Sequence, residues 1–345
     1  MSSSKQHRIA IDALRVISIL AVVLIHTTTR TVEASSFALQ KIPFTLFLNQ
    51  AARFAVPLFF LISGFVLELN YRVNENYFAY LKRRLSRIFV PYVFWSVIYY
   101  YFIYVHGRDP SFFNSLLWGD ASYQLYFIPA LLIFYLIFPL IHRLAGLTAN
   151  ALMIILLFIF QICLLFNDYN GNHLQFPYPI DIALLNFFPF IFGFFLAKNY
   201  DVFIKFINKW KIFLFSGVII LSLIVFREGF SGYLATHNYL TFYSQWRPSV
   251  LIYTIFLGSF LYYFFDKNAL STKIITTLSR LSFFVFFIHV LILENLWYSV
   301  GLKAFQLRFA QNLWWDPVYF ISVSVVSFAI AYIAHRIPYL SKITG

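Results

Sequence analysis

Roughly ten apolar runs follow one another along the 345-residue chain, most of them close to the ~20 residues a helix needs to cross a bilayer. They lie near Ile9 to Thr28, Phe44 to Leu69, Ile88 to Val105, Leu125 to Ile141, Ala149 to Phe166, Ile182 to Ala197, Ile212 to Phe226, Val250 to Phe265, Ile274 to Ile292 and Val318 to Ile337. Only 11% of residues are charged, against about 25% in a soluble domain. The pattern predicts an all-α polytopic membrane protein: a bundle of about ten transmembrane helices in a single domain over residues 1–345, with no soluble accessory domain.

A net charge of +13 invites a nucleic-acid reading, and the placement of the basic residues decides against it. With the amino terminus in the cytoplasm, seventeen lysines and arginines fall at cytoplasmic ends and loops and seven in outer loops, Arg247 among the latter. That asymmetry obeys the positive-inside rule, places both termini in the cytoplasm and points to no nucleic acid. Cys163 is the sole cysteine and reads as packed within its helix; an intramolecular disulfide and a cysteine metal cluster are excluded, and no metal is expected. Val32-Glu-Ala34 has the look of a cleavage site, yet Asp12 and Arg15 interrupt the preceding apolar run, so it reads as a retained helix.

Those same residues make the first run unusual. Asp12, Arg15 and His26 are ionisable groups inside a membrane-length segment, where such groups are costly and mark function. Eleven helical steps from Arg15 to His26 are close to three turns, roughly 16 Å, so both project from one face. Asp12 stands three positions before Arg15 and can pair with it there. The second run holds Arg53 and continues to Phe59-Phe60 and Ser63-Gly64, a small pair that lets another helix approach. Arg53 either snorkels at the outer surface or holds a glycan or His26. Lys82, Arg83, Arg84 and Arg87 then put several cations on one helix face, which suits either phosphate oxygens or anionic lipid.

Arg15, ten intervening residues and His26 resemble the first helix of membrane acyltransferase family three, integral membrane proteins that move acyl groups, often acetyl, onto surface glycans and lipids. The proline, paired phenylalanines and Ser63-Gly64 are similar to the family's second-helix signature. The cluster Lys82 to Arg87 resembles its two-arginine motif for the phosphates of acyl-coenzyme A. Phe188 to Gly193 resembles its aromatic-glycine helix and marks packing. Leu281-Ser282 through His289 is similar to a late serine-aromatic run ending in histidine, which makes His289 either a core residue or a supporting one. Glu294, further on, either orients an imidazole or meets water. At the aromatic entry to the fourth run the family commonly has a histidine, where this chain has Gln124; glutamine cannot accept a proton at neutral pH and reads as a binding residue. Tyr123 and Tyr126 beside it serve a sugar ring or an interfacial belt equally well.

The resemblance implies acyl-CoA, in the first place acetyl-CoA, as donor, and a surface polysaccharide or lipid-linked sugar as acceptor at a bacterial cytoplasmic membrane, with membrane lipids around the bundle. His26 would be the general base, assisted by Arg15 and supported by Asp12, His289, Gln124, Arg53 and Ser63; Lys82, Arg83, Arg84 and Arg87 would bind the donor. Imidazole suits the task because its unperturbed pKa is about 6.5. Outer stretches with Glu228, His237, Tyr239 and Trp246 offer glycan contacts. No Walker loop, paired-histidine zinc motif or nucleophile elbow competes. The other class of function compatible with these residues is a non-enzymatic translocator of a polysaccharide or lipid-linked sugar.

Overall fold

The computed structural model describes residues 2–34, 42–72, 74–105, 111–144, 146, 150–236, 244–267, 272–298, 312 and 314–338, and every structural statement below concerns these. The chain is helical, without strands among the described residues. The helices are α1 (Ser2–Ala34), α2 (Ile42–Ala51), α3 (Ala55–Leu69), α4 (Tyr77–Val105), α5 (Phe112–Trp118), α6 (Phe127–Arg143) and α7 (Ala151–Tyr169). They continue with α8 (Tyr178–Leu185), α9 (Phe187–Lys198), α10 (Tyr200–Lys209), α11 (Lys211–Thr236), α12 (Pro248–Lys267), α13 (Thr272–Tyr298) and α14 (Trp315–His335). Two compact units divide the chain: Met1–Phe59 with Asp201–Tyr332, and Phe60–Tyr200 with Ile333–Gly345.

In the first unit α1 is the central element, packed by α2, α12 and α13, while α11 lies on α12 and α2. No glycine or proline interrupts α1, and Ala10, Ile19 and Val23 are fully buried along it. Its threonines return their hydroxyls to the helix: Thr27 donates to the Val23 carbonyl at 3.0 Å and Thr28 to that of Leu24 at 2.5 Å. Polar side chains can sit in this apolar packing because their hydrogen bonds are closed locally.

Three polar contacts fix α13 along α1: Ser279 with Asp12, His289 with His26, and Glu294 with Arg30. The numbers rise together on both helices over about 27 Å, so α1 and α13 run parallel. Parallel spanning helices require an odd number of crossings between them. Seven helices are long and apolar enough to cross a membrane, and α8 with α9, bent by 47°, make an eighth. The seven by themselves place four crossings between α1 and α13, and counting the bent pair as one crossing gives an odd number. The expected ten is not what the helices give by length and hydropathy: the first turns of α4 carry Lys82, Arg83, Arg84 and Arg87, and α6 has only 17 residues.

The second unit is built around close backbone contacts and aromatic stacking. A β-carbon on Gly64 of α3 would lie 2.0 Å from the Phe190 carbonyl oxygen, and one on Gly193 of α9 would lie 1.9 Å from that of Leu61. The two small-residue signals of the sequence are therefore each other's partner, and Phe134 stacks on Phe190 at 4.3 Å beside them. The break between α8 and α9 exposes backbone groups that hydrocarbon cannot satisfy. Gln161 of α7, wholly buried, supplies both partners: its Nε2 donates to the Leu185 carbonyl at 3.2 Å and its Oε1 accepts from the Phe188 amide at 2.9 Å. Antiparallel α4 and α6 are registered by Tyr77 and Tyr80, whose hydroxyls donate to the Leu136 and Tyr135 carbonyls, each at 3.2 Å. Glu68, at the end of α3, gathers Lys198 at 2.7 Å and His142 at 2.9 Å. On α7 and α11 the outer faces are apolar, with Phe160 and Ile220 each 58% exposed, the surface a bilayer covers. Cys163 lies on such a face and is exposed, not packed inside as expected.

Candidate functional site

The two intramembrane histidines of the sequence meet in the first unit. Their rings stack with centroids 5.4 Å apart and planes inclined by 29°. His289 is fully buried, whereas His26 keeps part of its surface open. His289 Nδ1 lies 2.9 Å from the Val285 carbonyl of its own helix. A carbonyl only accepts, so Nδ1 carries the hydrogen and Nε2 is the acceptor nitrogen of the ring. That Nε2 is buried with no hydrogen-bond partner among the described residues. One imidazole of fixed orientation thus backs a second that can be reached.

Polar contacts close both ends of this α1–α13 seam. At one end Asp12 accepts from Ser279 at 2.7 Å and lies 3.5 Å from Arg15, so the expected carboxylate–guanidinium pair forms, with Ser279 as its tighter partner. At the other, four residues past His26, Arg30 pairs with Glu294 and with Glu33. Glu294 therefore neither orients an imidazole nor faces water, because the parallel register delivers it to Arg30. Tyr319 of α14 donates to the Leu293 carbonyl at 3.2 Å, and Thr45 of α2 to Asp316 at 2.5 Å, both beside this end.

A buried polar chain buttresses His26 from α2. Asn49 is fully buried, and its Nδ2 lies within 3.1 Å of the Ile25 carbonyl and of the Thr28 and Thr29 hydroxyls, on either side of His26 in sequence. Its Oδ1 accepts from Arg53 Nη2 at 2.5 Å and from Gln50 at 3.3 Å. Gln50 accepts from Arg247 in turn, Arg247 stands 3.6 Å from Glu228, and Glu228 accepts from Ser249. Gly229 leaves room for this, since a β-carbon there would come within 2.5 Å of the Gln50 side chain. Arg53 and Arg247 are only 3% and 1% exposed, so Arg53 does not snorkel, and Arg247, in the bend just before α12, is buried. Glu228 belongs to α11 and turns inward to this chain; His237 and Tyr239 lie outside the described residues.

The remaining sequence candidates belong to the second unit. Arg83 forms a two-pronged contact with Glu75, its Nε donating at 2.9 Å. Hydrogen bonds from Arg83 hold the Glu75 carboxyl below the usual carboxylate range, and the same bonds raise Arg83 further. Because the folded value is depressed, this pair is intact at neutral pH and is lost as acid protonates Glu75. Arg84 is half-buried, desolvation lowers its pKa, and its Nη2 reaches the Asn70 carbonyl at 3.4 Å. Lys82 and Arg87 are exposed. Gln124 is buried, its Oε1 accepting from Ser122 at 2.6 Å. Tyr123 is 44% exposed, and Tyr126 meets Tyr178 edge-on at 5.9 Å. Ser63 is half-buried next to Gly64. Among the described residues no group of three or more metal-ligating side chains exists.

A family model described as an acyltransferase domain, that of acyltransferase family three, matches residues 8–336. The chain belongs to this family. Similar curated proteins come from Staphylococcus aureus strains MSSA476, MW2 and MRSA252, each named a probable poly-beta-1,6-N-acetyl-D-glucosamine export protein. Each is 21% identical over 311 residues, covering 85% of this chain and 84% of the relative. No solved structure matches.

For this family-three chain, Asn49, Gln50, Arg247, Ser279 and Glu75 are the site neighbours that sequence reading missed. Asn49 and Gln50 left a trace: an amide pair four and three residues before Arg53 inside an apolar run, a spacing that puts Asn49 on the arginine's face. Glu75 precedes Arg83 by eight residues across a turn, and no helical spacing announces that pairing.

Proposed function

We propose that this protein is a membrane O-acyltransferase carrying an acyl group, acetyl foremost, from cytosolic acyl-CoA to a hydroxyl of an extracytoplasmic polysaccharide or lipid-linked sugar. The observation that carries the reading is the stacked His26–His289 pair, one ring reachable and the other locked to its own backbone, in a chain of an acyltransferase family. With the basic ends cytoplasmic, the His26 site lies about 16 Å beyond Arg15, within the membrane. His26 takes the proton of the acceptor hydroxyl as its oxygen attacks the thioester carbon. The C–S bond breaks, and coenzyme A leaves as the thiol with the proton His26 had taken up. The Asn49–Arg53 chain supports this by holding the Ile25 carbonyl on one side of His26 and the Thr28 and Thr29 hydroxyls on the other. Arg83, Arg84, Arg87 and Lys82 hold the donor phosphates, guanidinium forks matching them in pairs.

Mass spectrometry of surface glycans and lipids from cells with and without the protein tests the reading: the polymer stays while its acyl substituents disappear. Export, the second reading, is supported by the names of the S. aureus relatives and gives the opposite outcome, less polymer outside with unchanged acylation per sugar.

The donor assignment makes its own prediction. Glu75 competes with phosphate for Arg83, so Glu75→Gln tightens acetyl-CoA binding several-fold and strengthens its dependence on salt. Isothermal titration of the purified protein measures both, and an unchanged or weakened affinity would remove Arg83 from the donor site.

A further inference from the structure

Where α4, α5 and the entry to α6 converge in the second unit, buried polar groups accumulate that the chemistry at His26 does not use. Tyr92 of α4 donates its hydroxyl to the Leu116 carbonyl of α5 at 2.6 Å, which brings α5 back to the middle of α4. Ser115, next to Leu116, is 1% exposed, and its Oγ has no hydrogen-bond partner among the described residues. Gly119 closes α5 in a left-handed conformation, with φ 71°, and a β-carbon there would stand 2.9 Å from the Leu125 carbonyl oxygen. The end of α5 therefore abuts the residue after Gln124. Gln124 is 3% exposed; its Oε1 is taken by Ser122, and its buried Nε2 has no partner among the described residues. Ser96, one turn beyond Tyr92 on α4, is fully buried.

Buried donors left open cost stability unless something fills them, and here they share a level. The Tyr80–Tyr135 contact sets the antiparallel register of α4 and α6, and twelve residues on it brings Tyr92 to the level of Tyr123, beside Gln124. Arg84 stands on the same stripe of α4, eight residues back, or about 12 Å. Its Nε is buried and also lacks a partner among the described residues. The outer end of α4, at Val105, is about 20 Å from Tyr92 in the other direction.

We infer that Gln124, Ser115 and Ser96 form a subsite for the pantetheine arm of acyl-CoA, continuing the phosphate grip of Arg84 into the membrane. This rests on the acyl-CoA reading above. The arm is a twelve-bond chain of the length of about four extended residues, roughly 14 Å, and so spans the distance from Arg84. It carries two secondary amides and a hydroxyl. Gln124 Nε2 donates to an amide carbonyl, and a serine hydroxyl accepts an amide N–H, which closes the open groups on both sides. An acceptor sugar entering from the outer surface would have to descend the longer distance, so the depth favours the donor.

Two ligands separate the arm from the phosphates: acetyl-CoA, and adenosine 3′,5′-diphosphate, which has the phosphates and no arm. Titrated into purified protein, Gln124→Leu weakens acetyl-CoA about ten-fold and Ser115→Ala about five-fold, while the diphosphate binds both variants as it binds the wild type. Ser115→Ala removes one hydroxyl and keeps the packing, so it stands if Gln124→Leu does not fold. Equal weakening of both ligands, or unchanged acetyl-CoA affinity with a raised KM for the acceptor, overturns the subsite. Wild-type protein that binds neither ligand overturns the acyl-CoA reading itself.

Discussion

Purified protein carrying His26→Gln loses acyl transfer by about 10²–10⁴-fold in kcat, the range a positioned general base supplies, while its affinity for acetyl-CoA stays that of the wild type. The separation follows from the roles proposed: His26 of α1 takes the proton, while the cations of α4 hold the donor phosphates. Glutamine keeps the bulk of the side chain and the packing against His289 but cannot accept a proton at neutral pH. His289→Phe gives a smaller loss, because its ring backs His26 and its Nδ1 is already committed to the Val285 carbonyl. Rapid-quench labelling with radioactive acyl-CoA and no acceptor distinguishes direct transfer from an acyl-histidine, which alone leaves label on the protein. Stopped-flow release of thiol in the presence of acceptor measures the rate, and a His26→Gln enzyme at wild-type speed would remove His26 from the reaction.

The parts of the site legible in the sequence are those with a helical period or a charge in apolar surroundings. Asp12, Arg15 and His26 share a face of one unbroken helix, so their mutual placement follows from its pitch alone. That His26 meets His289 does not follow, because it depends on the parallel register of two helices more than 250 residues apart, set by Ser279–Asp12 and Glu294–Arg30. The arginines misled for a related reason. Arg53 and Arg247 sit near the ends of apolar runs, where a lone cation would reach water, yet the amides of Asn49 and Gln50 let both remain inside. Hydropathy registers α8 and α9 as one uniform run and cannot see the 47° bend that Gln161 stabilises.

The second large effect is on folding. Gly64→Leu leaves no monodisperse protein, and Gly64→Ala lowers the unfolding midpoint by more than ordinary overpacking, which costs about 1–3 kcal/mol. An added β-carbon meets the Phe190 carbonyl oxygen at 2.0 Å, and the reciprocal position, Gly193, meets that of Leu61 at 1.9 Å. These are backbone atoms of the opposing helix, so no side-chain rotation relieves the clash and α3 and α9 have to separate. Separation unstacks Phe134 from Phe190 and moves the Lys198–Glu68 pair at the far end of the same two helices. Between helices in lipid the hydrophobic effect gives little, so loss of close backbone approach removes much of what holds them. Ser63→Ala, one residue away, leaves the midpoint within the error of tryptophan-fluorescence melts in detergent. Gly64→Ala melting with the wild type would show that α3 and α9 do not depend on this crossing.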